Sequence, residues 1–173
     1  MNKWFMLTVV GKDRPGIVAN VTSLLYKGGC NLGEASMVRL GGNFTIMLMV
    51  QYGGELTALR NMLEPELGGL NLHMHIDEID GWLHQHLVPD VRISVFGADR
   101  AGIVAQVTRV LADAGLNILD LESDVAGTKA QPIYIMHIEG CATQGIDALR
   151  RALDDAIGED IDVSMAPIDT LVG

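Results

Sequence analysis

Gly11-Lys-Asp-Arg-Pro-Gly-Ile-Val-Ala-Asn-Val-Thr22 recurs as Gly97-Ala-Asp-Arg-Ala-Gly-Ile-Val-Ala-Gln-Val-Thr108, an offset of 97 − 11 = 86 residues. At that offset, 12 of the 21 positions from Gly11 to Asn31 are identical, so the chain reads as two copies of one unit of about 80 residues. In each copy an apolar run rich in Val, Phe and Ile (5–10 and 91–96) ends at a glycine, as a strand does. An amphipathic helix follows. Ile17, Val18, Val21, Leu24 and Leu25 fall at helical spacing and are matched by Ile103, Val104, Val107, Val110 and Leu111. Pro15 suits the first helical turn after a capping Asp or Arg loop, and Gly29 or Gly115 supplies the stop.

Working outward, Asn31 to Leu40 and Phe44 to Tyr52 are strand-like runs joined by the hairpin signal Gly41-Gly42-Asn43. In the second copy, Asn117 to Val125 and Ile133 to Glu139 flank what reads as a longer loop with Gly127 and Pro132. Leu56, Leu59, Met62 and Leu63, and then Ile146, Leu149, Leu153 and Ile157, mark a second helix in each unit. Leu72, Met74 and Ile76, like Ile161, Val163 and Met165, close each unit with an alternating strand. The order βαββαβ, taken twice, predicts an α+β fold of two ferredoxin-like units, each a four-stranded antiparallel sheet with both helices on one face. The expected division is 1–80, a linker at 81–90 with Gly81 and Pro89, and 91–173.

Composition bounds the function. The 173 residues are 49% hydrophobic and 20% charged, with mean hydropathy +0.26, enough apolar material for packed cores. Lys plus Arg total 12 against 22 Asp plus Glu, a net charge of −10 that repels a phosphate backbone. Residues 1–86 carry 6 basic and 8 acidic groups and residues 87–173 carry 6 and 14, so neither half offers a basic face to nucleic acid. No segment approaches the roughly 20 apolar residues of a membrane span, and the N-terminus does not read as a signal peptide, so a cytoplasmic protein is expected. Cys30 and Cys141 lack metal-ligand spacing and read as small buried hydrophobes.

The repeated Gly-x-Asp-Arg-x-Gly lies between the first strand and the first helix, where unpaired N–H groups and the helix dipole suit a carboxylate. Asp13 and Asp99 can face an ammonium group, Gly16 and Gly102 admit a ligand to the main chain, and Asn31 or Asn117 can hydrogen-bond either end. Each also has a structural reading: Asp as cap, Gly as turn former, Arg as solvated surface, Asn as turn filler. His73, His75, His84 and His86 fall within fourteen residues, but without enforced geometry they carry no metal assignment. Phe44, Ile46, Leu48 and Val50 alternate with Thr45, Met47, Met49 and Gln51, so both faces of that strand are largely apolar; Tyr134, Met136 and Ile138 repeat this. One face must meet the helices, and the other calls for cover by a second unit, a second chain or a protein partner.

Asp-Arg-Pro-Gly-Ile-Val-Ala with the later Gly-Gly-Cys-Asn-Leu resembles the ACT domain, a small regulatory βαββαβ module, and Asp-Arg-Ala-Gly-Ile-Val-Ala with Ala-Gly-Leu-Asn-Ile resembles a second one. A free-standing pair resembles the glycine cleavage system transcriptional repressor family. That resemblance implies amino-acid sensing, with ligand between paired ACT units at the strand-one to helix-one loop and the start of strand two. It nominates Asp13, Arg14, Pro15, Gly16 and Asn31, and Asp99, Arg100, Gly102 and Asn117, with Ala101 standing where the motif has proline. The expected partners are a small amino acid, glycine being the first candidate, and a protein such as a DNA-binding activator, in a protein able to form homo-oligomers, with no cofactor and no direct contact to DNA. Enzymes that carry this module hold a separate catalytic domain, and Ser-x-Gly elbow, phosphate-loop and His-Glu-x-x-His motifs are absent from the chain, so no enzyme is expected. The alternative is a structural or dimerising ACT module without ligand.

Overall fold

The computed structural model describes residues 2–80, 87–98, 102–128, 131–158 and 161–168. The chain divides into two compact units, Met1–Gln85 and His86–Gly173. In the first, β1 (Lys3–Lys12), α1 (Ile17–Lys27), β2 (Asn31–Leu40), β3 (Asn43–Tyr52), α2 (Leu56–Gly69) and β4 (His73–Ile79) form an antiparallel sheet of order β2-β3-β1-β4. In the second, β5 (Val91–Ala98), α3 (Ile103–Asp113), β6 (Leu116–Thr128), β7 (Gln131–Ala142), α4 (Ile146–Ala156) and β8 (Ile161–Pro167) repeat it as β6-β7-β5-β8.

Alternation sets which face meets the helices. Phe5, Leu7 and Val9 of β1 and Phe44, Ile46, Leu48 and Val50 of β3 are buried, and they meet Ile17, Val21 and Leu25 of α1 and Leu59, Leu63 and Leu67 of α2. Both helical triplets recur at i, i+4 and i+8, one stripe down each helix. The second core repeats the plan with Val91, Ile93 and Val95, Ile103, Val107 and Leu111, Met136 and Ile138, and Leu149 and Leu153. Both helices of each unit therefore cover one sheet face, as the sequence predicts.

Three local expectations are corrected. Helix α1 begins at Ile17, not at Pro15, because Gly16 takes the cap position with φ 87° and no side chain caps the helix. Its end is as predicted: Gly29 has φ 75°, its N–H donates to the Tyr26 carbonyl, and Cys30 N–H donates to that of Leu25. In the second unit the expected long loop is mostly strand, since β6 and β7 stay paired through Gly127–Pro132 and Thr128–Gln131. Finally, the non-helical faces of β3 and β7 differ, for His137 and Glu139 stand on β7 where β3 carries Met47 and Met49.

Lys3 ties the start of β1 to two neighbours, its Nζ lying 2.9 Å from Glu55 and 3.3 Å from Glu78. Those carboxylates, Glu55 first, hold the Lys3 ammonium above its ordinary range. A pKa raised in the folded state stabilises below the unfolded value near 10.5 and is lost as pH climbs past the folded one. The Tm advantage of the wild type over Lys3→Gln is thus expected to be level at neutral pH and to shrink above that value; a gap constant through the strongly alkaline range would show that Lys3 acts through its apolar stem.

Candidate functional site

The β1–α1 loop is built from the backbone up. Asp13 N–H donates to the Gly42 carbonyl in the β2–β3 hairpin (3.0 Å), anchoring the loop to the turn beside it. The first helical bond runs from Asn20 N–H to the Gly16 carbonyl (2.9 Å). The N–H groups ahead of Asn20 thus have no partner within the helix, no side chain caps them, and no acidic residue lies in the first turn. That end of α1 is a patch of aligned donors at the positive pole of the helix. Gly102 repeats the arrangement, with φ 90° and Gln106 N–H on its carbonyl at 2.9 Å. Asp99, Arg100 and Ala101 lie outside the described residues.

The side chains named by the motif are already engaged. Asp13 forms an ion pair with Arg39 of β2, and the Arg14 guanidinium donates to the Leu70 carbonyl at the end of α2. Neither side chain caps the helix. Asp13 keeps 26% of its side chain exposed, so its carboxylate can take a second cation beside Arg39. Lys12, Asp13 and Arg14 also line a cleft of about 700 Å³ with Asn43, Asn71 and His73.

Asn31 is not beside them. It pairs with Gln51, which pairs across to Trp4, whereas the loop leaves β1 at Lys12. Eight residues at about 3.4 Å each separate these rows by roughly 27 Å. Asn31 Nδ2 instead donates to Gln51 Oε1 at 3.4 Å. Asn117 likewise sits opposite Cys141, one residue beyond the Val91–Gly140 row where β5 begins, and Gly102 follows the other end of that strand.

Sequence reasoning missed Arg39, Gly42 and Leu70. The signal for the first two was present: Gly41-Gly42 is a hairpin, and a hairpin returning along β3 to pair with β1 brings its turn to Lys12. Leu70 could not be read, because the contact depends on where α2 stops. Among the described residues no group of His, Cys, Asp and Glu has metal-binding geometry. His75 pairs with Asp77 at 2.9 Å, and His84 and His86 lie outside the described residues. Cys30 is buried, which pushes its thiol pKa up, and Cys141 is half-buried with its thiol on the Val88 carbonyl at 3.2 Å. No helix among the described residues is long and apolar enough to cross a membrane.

The ACT domain family signature matches residues 3–77 and again residues 91–158. The chain is two ACT domains in tandem. A relative spanning both ACT domains is the glycine cleavage system transcriptional repressor of Escherichia coli K12, 25% identical over 137 residues, covering 79% of this chain and 72% of that protein. A UPF0237 protein of Lactococcus lactis is 34% identical over 83 residues, 46% of this chain and 95% of that one. Among solved structures, an unknown protein from Galdieria sulphuraria has a TM-score of 0.73 at 25% identity, covering 98% of this chain and all of that one. A putative glycine cleavage system transcriptional repressor has a TM-score of 0.71 at 20% identity, covering 98% and 99%, and shares the tandem fold. By these relatives the chain is a regulatory ACT-domain protein.

Proposed function

We propose that this chain is a non-enzymatic sensor of a small amino acid, glycine being the first candidate, and that it regulates glycine cleavage genes through a protein partner. The observation that carries the reading is the pair of left-handed glycine caps, Gly16 and Gly102, each opening a helix with no side-chain cap. A free carboxylate fits the donors so exposed. Asp13, already beside Arg39, receives the ligand ammonium, and Arg14 and Pro15 shape the loop. In the second domain Asp99, Arg100 and Gly102 take these roles. Asn31 and Asn117 lie at the far ends of their own sheets, away from the loop of their own domain, so the loop residues carry the reading. The similarity to a named repressor along 79% of the chain supports a transcriptional role, and the net charge of −10 argues against direct contact with DNA.

A ligand that binds only the folded state raises its stability, by about 2.7 kcal/mol at a hundredfold excess over Kd. At about 4–8 °C per kcal/mol for domains of this size, millimolar glycine or a related amino acid is expected to lift Tm by several degrees or more. Scanning calorimetry across the common amino acids checks this. Uniform silence would support the ligand-free dimerising reading, which the engagement of Asp13 and Arg14 by Arg39 and Leu70 favours. Tight, salt-sensitive binding of the purified chain to promoter DNA would remove the need for a partner.

A further inference from the structure

The two domains share a fold and differ on the sheet face that the helices leave open. On the first sheet, register sets Met6 of β1 directly opposite Met49 of β3, and Met47 stands two residues along β3 on the same face. Side chains directly opposite lie about 4.5–5.5 Å apart at Cβ, and diagonal ones, here Met6 and Met47, about 7–8 Å. The three thioethers thus form one triangle, and the three torsions of each side chain let the sulfurs converge above it. The second sheet holds nothing of the kind. Arg92 stands where β1 has Met6, and register puts Glu139 and His137 where β3 has Met49 and Met47. There Arg92 forms an ion pair with Glu139 at 2.6 Å, and His137 meets Ser94 at 3.0 Å.

That comparison is an internal control: the fold forms without a thioether at these positions, so packing alone does not call for methionine there. A ring also walls the triangle on one side. A Cβ on Gly33 would come within 2.9 Å of the Trp4 indole and 3.2 Å of Met49 Cβ, so the indole reaches from β1 across β3 to the spot where Gly33 has no side chain. Beside it Met49 is only 8% exposed although it stands on the open face, whereas Met47 is 45% exposed. The triangle therefore has a closed side at Trp4 and Met49 and an open side at Met47. Asp77 of β4, opposite Met6 and bonded to His75 at 2.9 Å, sets a carboxylate on the same face, where its charge favours a cation.

We propose that Met6, Met47 and Met49 bind a soft monovalent metal ion, Cu(I), through their three thioether sulfurs, with the Trp4 indole as one wall of the site. The donor set decides the metal. Carboxylate and carbonyl oxygens suit Mg, Ca and Mn, while thioethers are soft, polarisable donors that select Cu(I). Zinc takes sets of thiolate, imidazole and carboxylate, and among the described residues no group of His, Cys, Asp and Glu has that geometry. The indole contributes as well, because the negative face of its π system attracts a cation held against it. Elsewhere the methionines serve packing: Met62 and Met74 lie against the first core and Met136 within the second. The site is separate from the β1–α1 loop and does not depend on any amino acid.

Ag(I), a redox-stable ion of the same charge and softness, tests it on the full chain. Followed by NMR of the methionine methyl groups, an equimolar addition is expected to move the signals of Met6, Met47 and Met49 and to leave those of Met62, Met74 and Met136 in place. Cu(I) delivered from a chromogenic chelator should move the same three, and Zn(II) none. The double variant Cys30→Ser, Cys141→Ser removes both thiols and should bind Ag(I) as the wild type does. Met6→Leu is a swap of similar volume that packed sites tolerate, and it should weaken Ag(I) binding, read by calorimetry, at least about tenfold, the least that losing even an outer-shell partner of a metal site does. Should Met6→Leu not fold, Met47→Leu at its exposed position makes the same test. Unmoved signals from Met6, Met47 and Met49 at equimolar Ag(I) overturn the proposal. Affinity that survives the leucine variants, or that vanishes with the cysteines, overturns it equally by placing the ion on other donors.

Discussion

Phe5→Ala is expected to cost about 3–5 kcal/mol, the range for removing a buried aromatic ring and leaving its cavity. Phe5 has no solvent exposure, sits opposite Val50 of β3 and Glu78 of β4, and belongs to the central strand that both neighbours pair with. Its lining comes from two helices and a sheet that cannot close independently, so little of the cavity collapses. Since domains are stable by only about 5–15 kcal/mol, the first ACT domain should melt far below the second. Calorimetry reads this as a low-temperature transition split from an unshifted one. Its counterpart at the 86-residue offset is Val91, also without exposure, whose truncation removes less volume and should shift the second domain less. A loss below about 1 kcal/mol for Phe5→Ala, the ordinary cost of any substitution, would show that the core does not close over this ring.

The repeat made most of the architecture legible, because a helix stripe at i, i+4 and i+8 and strand alternation admit few layouts when each must occur twice. Termini were harder. Helix α2 runs through Pro65 to Gly69, past the last predicted apolar position, because Leu67 still reaches the core and outweighs the hydrogen bond that proline forfeits. It stops where Asn71 turns left-handed at φ 54°. At the candidate site, the glycine positions were legible and their cause was not: Gly-x-Asp-Arg-x-Gly can serve a ligand or the backbone, and spacing does not separate the two. Register did what spacing could not. It sent Asn31 to the far end of the sheet, gave Asp13 to Arg39, and exposed the contrast between the two open faces. Such facts arise from pairing between strands distant in sequence, which local patterns do not encode.

Gly16 is where the ligand and backbone readings give opposite results. Its φ of 87° disfavours any side chain, while an added Cβ would meet nothing within 4 Å. Gly16→Val therefore pays for the left-handed backbone, about 1–2 kcal/mol, and not for a clash. Gly16→Asn should keep most of the wild-type stability, since Asn tolerates that conformation through its short polar side chain. Yet the open space beyond the Cβ is where a carboxylate must come to reach the first-turn N–H groups of α1. Asn at 16 fills that approach, so the thermal shift with amino acid should fall to that of the second domain alone while the melting curve without ligand hardly moves. Valine should lose both. Measured as Tm with and without millimolar glycine, a Gly16→Asn protein that keeps the full ligand response would show that the bare main chain is not the carboxylate's seat, and that Gly16 serves the turn.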